Sequence, residues 1–152
     1  MQFTFYYIRL ININEIKNTL ITSTSETYGT AQYVPIDEKH PLVGQSPYAA
    51  SKIAADQLSL SYFRSFGLPV KIVRPFNNYG PGLSIDDGRV FSDFVKNIFE
   101  DRDVVLFSDG SPTRTFCYIA DAITGYLKAL INGRAGEAYN IGATGPEISI
   151  SE

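Results

Sequence analysis

Tyr48 and Lys52 stand four residues apart in the segment SPYAASK, residues 46–52. On a helix that spacing sets both side chains on one face. A lone tyrosine titrates near ~10 and is a poor base at neutral pH. An adjacent ammonium favours the phenolate and brings it within range. Such a pair can take a proton from a hydroxyl while the carbon beneath it gives up a hydride. Alone, Tyr-x-x-x-Lys is a weak signal, because surface helices contain it by chance.

Two further segments carry suitable chemistry. STSETYG, residues 23–29, supplies the Thr24 hydroxyl, able to share a hydrogen bond with a reacting hydroxyl, and the Glu26 carboxylate, able to move a second proton. RPFNNYGPG, residues 74–82, supplies the amides of Asn77 and Asn78, while Pro75 removes one backbone donor. Read singly, the first is a polar turn closing a strand and the second a tight turn around Gly80 and Gly82.

The elements that must position these groups are legible around them. TLITST, 19–24, reads as a strand running into a polar turn. Residues 29–47 read as loop, punctuated by Pro35, Pro41, Gly44 and Pro47. Tyr48 to Phe66 reads as a mostly buried helix, with Ser46 as cap, Pro47 at its start and Gly67 at its end. VKIVRPF is the β-branched run of an interior parallel strand. Val90–Phe99 fits an amphipathic helix, VVLF a short strand, Tyr118–Ile131 another helix and AYNIG a last strand. Strands alternating with helices predict an α/β fold, and such sheets bind ligands at the carboxyl ends of their strands.

A chain of 152 residues suits one domain with a real core. Its 44% hydrophobic and 19% charged residues are ordinary globular proportions. The net charge is -3 and no two basic residues are adjacent, which argues against nucleic acid as a partner. No apolar run reaches the length needed to cross a bilayer, so no membrane role is expected. The N-terminal segment lacks the layout of a signal peptide. One cysteine excludes an internal disulfide and suits a cytoplasmic location. His40 reads as a surface-loop residue and Cys117 as a packed thiol; neither has metal-ligand spacing, so no metal site is expected.

Taken in order, the STSETYG segment, SPYAASK, LPVKIVRPFNNYGPG, TRTFCYIADAITGYLKAL and GEAYNIG resemble the NAD-dependent epimerase/dehydratase branch of the extended short-chain dehydrogenase/reductases, from about residue 20 to 145. The ordered series is far more specific than any one motif. The resemblance implies an enzyme acting on nucleotide-diphosphate sugars, UDP-sugars foremost, with NAD as cofactor and NADP left open, and a homodimer of the full-length form. It implies roles as well. Tyr48 would be the catalytic base, and Lys52 would hold the cofactor ribose and tune Tyr48. Thr24 would bond the reacting hydroxyl, and Pro75 would lie against the nicotinamide. Asn77 and Arg114 would contact the sugar nucleotide and its pyrophosphate, and Arg89 would reach the nucleotide. A guanidinium suits phosphate through its planar fork.

The departures define further expectations. A Rossmann-like sheet of this family opens with a glycine-rich βαβ unit, yet no G-x-G-x-x-G occurs anywhere in the sequence. The expected architecture is therefore the C-terminal part of that sheet with part of the sugar-nucleotide region. Residues 1–20 form an unassigned lead-in and 21–152 a partial family domain. Within it, 21–82 is the catalytic strand–helix–strand part. The remainder, 83–152, holds the substrate-region helix and strand and the returning helix and strand. Such a piece is expected to bind NAD weakly or not at all and to be inactive alone. The alternative is a non-catalytic remnant or interaction module that keeps the fold without turnover. Among reactions, 4,6-dehydratases place an Asp–Glu pair after the threonine; Ser25 stands here at the Asp position, and a serine is a poor proton donor. Thr-Ser-Glu with DDGRVFSDF and DGSPTRTF resembles the uronate decarboxylases most, then the epimerases, then the dehydratases.

Overall fold

The computed structural model describes residues 16–106 and 108–151, arranged in two compact units. The unassigned lead-in falls mostly on residues 1–15, outside the described residues.

The first unit, 16–76 with 123–141, is built on a three-stranded parallel sheet. Strand β1 (Thr19–Thr22) pairs with β2 (Val70–Pro75), and β2 pairs with β6 (Ala138–Ile141). β2 is central, and Val70, Ile72 and Val73 are fully buried, as its β-branched run predicts. After β1 the chain makes a single 3₁₀ turn, Ser25–Tyr28.

Helix α1 spans Pro47–Phe66. Ser46 Oγ accepts from the Ala49 amide at 3.0 Å, and Pro47 loses no bond at the first position. Gly67 ends the helix in the left-handed region, φ 68°, donating to Phe63 O at 2.8 Å. Leu58, Tyr62 and Phe63 pack against Leu68 and Val70. The expectation of a mostly buried helix needs correction. Its buried positions are Ala49, Asp56, Ser59 and Leu60, whereas Tyr48 and Phe66 are exposed. Toward its start the helix meets the core through Ala49, Asp56 and Ser59, and toward its end through Leu58, Leu60, Tyr62 and Phe63, so most of its remaining positions are only partly covered or exposed.

The second unit, 77–122 with 142–151, contains two small ladders. β3 (Asn78–Tyr79) runs parallel to β5 (Cys117–Tyr118), and β4 (Thr113–Arg114) runs antiparallel to β7 (Ile148–Ser149). Helix α2 covers Val90–Phe99. Tyr79 gathers Phe91 at 4.8 Å, Tyr118 at 5.6 Å and Phe116 at 6.4 Å between ring centroids. Helix α3, Ile119–Asn132, starts in this unit and finishes in the first.

Four local readings change. Asn78 and Tyr79, read as turn, are paired strand residues, and only Gly80–Gly82 turn. Val104–Leu106 of VVLF pair with no strand among the described residues and stay exposed; Phe107 lies outside them. AYNIG is not the last strand, since β7 follows. His40 is not on the surface. It is buried between Tyr28 and Tyr33, its Nε2 accepts from the Gln32 amide at 2.9 Å, and Nδ1 faces the Pro41 carbonyl at 3.0 Å. Cys117 is a buried free thiol, as read. Burial pushes its ionisation up, helped by Asp121.

Candidate active site

The carboxyl ends of β1 and β2 carry the first group of candidate residues. Thr24 caps the 3₁₀ turn: its Oγ1 accepts from the Glu26 amide at 3.3 Å, and its carbonyl accepts from Thr27 Oγ1 at 2.7 Å. Because Thr24 Oγ1 serves that turn as an acceptor, its own O–H remains able to donate. Glu26 is exposed on the same turn. Pro75 ends β2.

Tyr48 and Lys52 occupy the first two turns of α1. Lys52 Nζ donates to the Thr22 carbonyl at 3.1 Å and lies 5.8 Å from the centre of the Tyr48 ring. The ammonium is thus anchored on the end of β1 beside the phenol, two residues before Thr24. An ammonium has three N–H donors, so two beyond the Thr22 bond can reach a ligand. Tyr48 is 50% exposed, enough to meet one. The first unit therefore carries Thr24, Glu26, Tyr48, Lys52 and Pro75, with Lys52 linking the helix of Tyr48 to the strand that leads into Thr24.

The second unit carries Asn77, Arg89 and Arg114. Asn77 adopts φ 25°, a left-handed conformation that asparagine tolerates, and its Nδ2 donates to the Thr115 carbonyl at 3.1 Å. Arg89 is ion-paired with Asp87. Arg114 is exposed, donates to the Thr113 carbonyl at 2.7 Å and pairs with no carboxylate among the described residues. Of the two arginines, Arg114 has the guanidinium more available to an anion. Among the described residues no group of three His, Cys, Asp or Glu could hold a metal ion, and no helix is long and apolar enough to cross a membrane.

Sequence reading missed a buried network under the first group. Arg74 Nε meets Asp56 Oδ2 at 3.0 Å, and Arg74 Nη1 donates to Tyr28 Oη at 2.9 Å. Tyr28 Oη in turn donates to Asn140 Oδ1 at 2.7 Å. The Asn140 amide reaches Glu38 Oε1 at 2.7 Å, and its Nδ2 donates to the Ile36 carbonyl at 3.2 Å. Burial pushes the Asp56 carboxyl up, against the pull of the Ser23 hydroxyl, the Arg74 guanidinium and the Lys52 ammonium. Burial likewise raises Tyr28, against Arg74 and Asn140. The one available signal was spacing: Asp56 lies four residues beyond Lys52 and four before Leu60 on α1.

A parallel α/β sheet with Tyr-x-x-x-Lys at the carboxyl ends of its strands defines a class of nicotinamide-dependent folds, and comparison with known proteins narrows it. The model of the NAD dependent epimerase/dehydratase family matches residues 1–142. The chain is 37% identical to UDP-glucuronic acid decarboxylase 1 of Arabidopsis thaliana over 131 residues, 83% of this chain and 30% of that protein. It is 38% identical to a dTDP-glucose 4,6-dehydratase of Actinoplanes sp. over 129 residues, 85% of this chain and 40% of that protein. Among solved structures, dTDP-glucose 4,6-dehydratase from Bacillus anthracis, in complex with NAD, superposes with a TM-score of 0.89 at 31% identity, covering 97% of this chain and 47% of that one. UDP-glucuronic acid 4-epimerase from Bacillus cereus, in complex with UDP-glucuronic acid and NAD, gives 0.78 at 34% identity, covering 87% and 41%. This chain belongs to the NAD-dependent epimerase/dehydratase family. It spans 29–40% of the length of the curated relatives it matches.

Proposed function

We propose that this chain carries the reacting half of an NAD-dependent nucleotide-sugar site, which oxidises the sugar C4 hydroxyl to a ketone, and that decarboxylation of a UDP-uronate follows. The observation that carries the reading is the Lys52 ammonium, anchored on the Thr22 carbonyl beside the half-exposed Tyr48 phenol. The donor set fits the nicotinamide–ribose end of the cofactor. Two free ammonium N–H groups suit ribose hydroxyls, and the edge at Pro75 offers no backbone donor of its own. The chemistry that a bound NAD would supply is reversible acceptance of the C4 hydride. Tyr48, as phenolate, takes the C4 hydroxyl proton, and Thr24 orients that hydroxyl through a shared hydrogen bond. Lys52 offsets the phenolate charge. The resulting ketone lies β to the C6 carboxylate, so the C5–C6 bond breaks with loss of carbon dioxide and its electrons enter an enolate. Glu26 is the candidate to manage the proton that C5 then takes. The proton on Tyr48 returns to the C4 oxygen when hydride comes back.

Ser25 supports decarboxylation or epimerisation over dehydration, because it lacks the acidity to expel the C6 hydroxyl as water. Identity to decarboxylases and dehydratases is nearly equal, so the choice rests on that residue. Arg114 and Asn77 are the proposed sugar-nucleotide contacts, with Arg89 available once freed from Asp87. The proposed setting is cytoplasmic and the proposed assembly of the full-length form a homodimer.

The test complements the chain with the glycine-rich NAD-binding unit of a relative and supplies NAD with UDP-glucuronate, UDP-glucose or dTDP-glucose. Release of carbon dioxide and a UDP-pentose from the first is the expected result. A UDP-hexuronate epimer without carbon dioxide would move the reading to epimerase. No change in any of the three, with the fold intact, would leave the non-catalytic reading.

A further inference from the structure

We infer that the buried Asp56–Arg74–Tyr28 network is a positioning device, which locks the helix bearing Tyr48 and Lys52 onto the turn bearing Thr24 and Glu26. The inference rests on the reading of those four residues as the reacting group.

Arg74 is the hub, and each of its bonds goes to an element that carries part of that group. Through Nε it holds Asp56, which lies on α1 eight residues after Tyr48 and four after Lys52, hence on the same helical line. Through Nη1 it holds Tyr28, the last residue of the turn that begins after Thr24. Its own neighbour in the chain is Pro75. Tyr28 Oη passes the connection to Asn140, the residue opposite Arg74 on β6. A planar guanidinium can serve two partners at fixed angles, which a lysine ammonium does not do.

Stability alone is a poor account of this arrangement. Asp56 and Arg74 are almost wholly removed from water. Taking two charges out of water costs about as much as their attraction returns, and apolar replacements of similar volume often fold as well or better. What apolar residues cannot supply is direction. The network fixes how far α1 sits along β2 and how the 3₁₀ turn is rotated, and these two settings determine whether Lys52 reaches Thr22 beside Tyr48. The Tyr28 ring is also stacked with Phe76 at 6.2 Å and meets His40 edge-on at 5.4 Å, so its hydroxyl has little freedom to follow a shifted Arg74.

Lysine ammonium resonances of the 15N-labelled 152-residue chain test this directly. Lys52 Nζ is bound to Thr22 O, whereas Lys71 Nζ, in the same unit but off the network, is bound to Asn18 Oδ1 and the Leu130 carbonyl. Assignment follows from loss of each signal in Lys52→Met and Lys71→Met. Two variants break the network: the double Asp56→Leu/Arg74→Met, and Tyr28→Phe. In both, hydrogen exchange at the Lys52 ammonium should quicken by about tenfold, the factor that one ordinary hydrogen bond represents, while Lys71 is unchanged. Should the double variant fail to fold, Tyr28→Phe, which keeps the ring contacts, decides alone. An unchanged Lys52 signal in a folded variant overturns the inference, and so does equal quickening at both lysines, which would mark a purely structural role. The signals are read without NAD or substrate. Absence of turnover in the parent therefore bears only on the proposed function, and an unmoved Lys52 bears only on this inference.

Discussion

At the scale of single residues the proposed chemistry divides between groups that would react and groups that would hold phosphate. Lys52 ties the helix bearing Tyr48 to the strand end that leads into Thr24, because its ammonium bonds a backbone carbonyl two residues before the threonine. Arg114 is a different kind of residue: exposed, unpaired with any carboxylate among the described residues, and suited to a pyrophosphate. Arg114→Ala should weaken binding of UDP-glucuronate by roughly ten- to a hundredfold, the value of a charge-assisted hydrogen bond of about 1.5–3 kcal/mol. Titration of the complemented chain with UDP-glucuronate and with free glucuronate measures this. An equal loss for the free sugar, which has no phosphate, would contradict the role. Arg89, tied to Asp87, should show the smaller effect of the two.

At the scale of elements, α1 is the part most open to a reader of the sequence, because its signals are local. Ser46, Pro47 and Gly67 act within a turn of where they stand. Ser46→Ala should destabilise the chain by about 0.5–2 kcal/mol, seen as a lowered thermal midpoint. A midpoint equal to the parent's would show that the cap contributes nothing to the folded state. β2 was equally plain, since Val70, Ile72 and Val73 give its buried run a β-branched signature closed by Pro75, although the run also buries Lys71 and Arg74. The network beneath the site was hidden for the opposite reason. Tyr28 and Asn140 are 112 residues apart in sequence, and no pattern along the chain announces their hydrogen bond. His40 misled because a lone histidine in a loop among prolines looks exposed; it is in a loop, but two tyrosine rings bury it. Val104–Leu106 has strand composition, but composition cannot supply the neighbouring strand that a ladder needs. Tyr28 gives this scale a pH prediction. Its phenol is raised above the ordinary value by burial. The unfolded chain ionises near ~10 while the folded chain resists. The stability it contributes is whole below that pH and is lost as pH rises through the folded value. Tyr33, pushed up to about 12 by the Asp37 carboxylate, and Tyr126, raised by burial, act in the same sense. Thermal midpoints should therefore fall on raising pH above ~10, and Tyr28→Phe should flatten part of that fall. An unchanged slope would contradict the assignment.

At the scale of the molecule, the family fold and the nicotinamide end of its site stand in this chain without a glycine-rich phosphate loop anywhere in the sequence. Backbone amides at such a loop, with the positive end of the following helix, normally supply much of the pyrophosphate binding. The 152-residue chain should accordingly bind NAD weakly, and calorimetry on monodisperse material checks this. Micromolar affinity would mean a cofactor site built from other residues. The most direct test of the central claim is the first half-reaction. The complemented chain, mixed with NAD and UDP-glucuronate, is followed by NADH absorbance within one turnover, in the parent and in Tyr48→Phe. Removal of the phenolic oxygen should slow hydride transfer by about 10²–10⁴-fold, with the fold and UDP-glucuronate affinity retained. Hydride transfer within a factor of a few of the parent would remove Tyr48 from the mechanism and contradict the account.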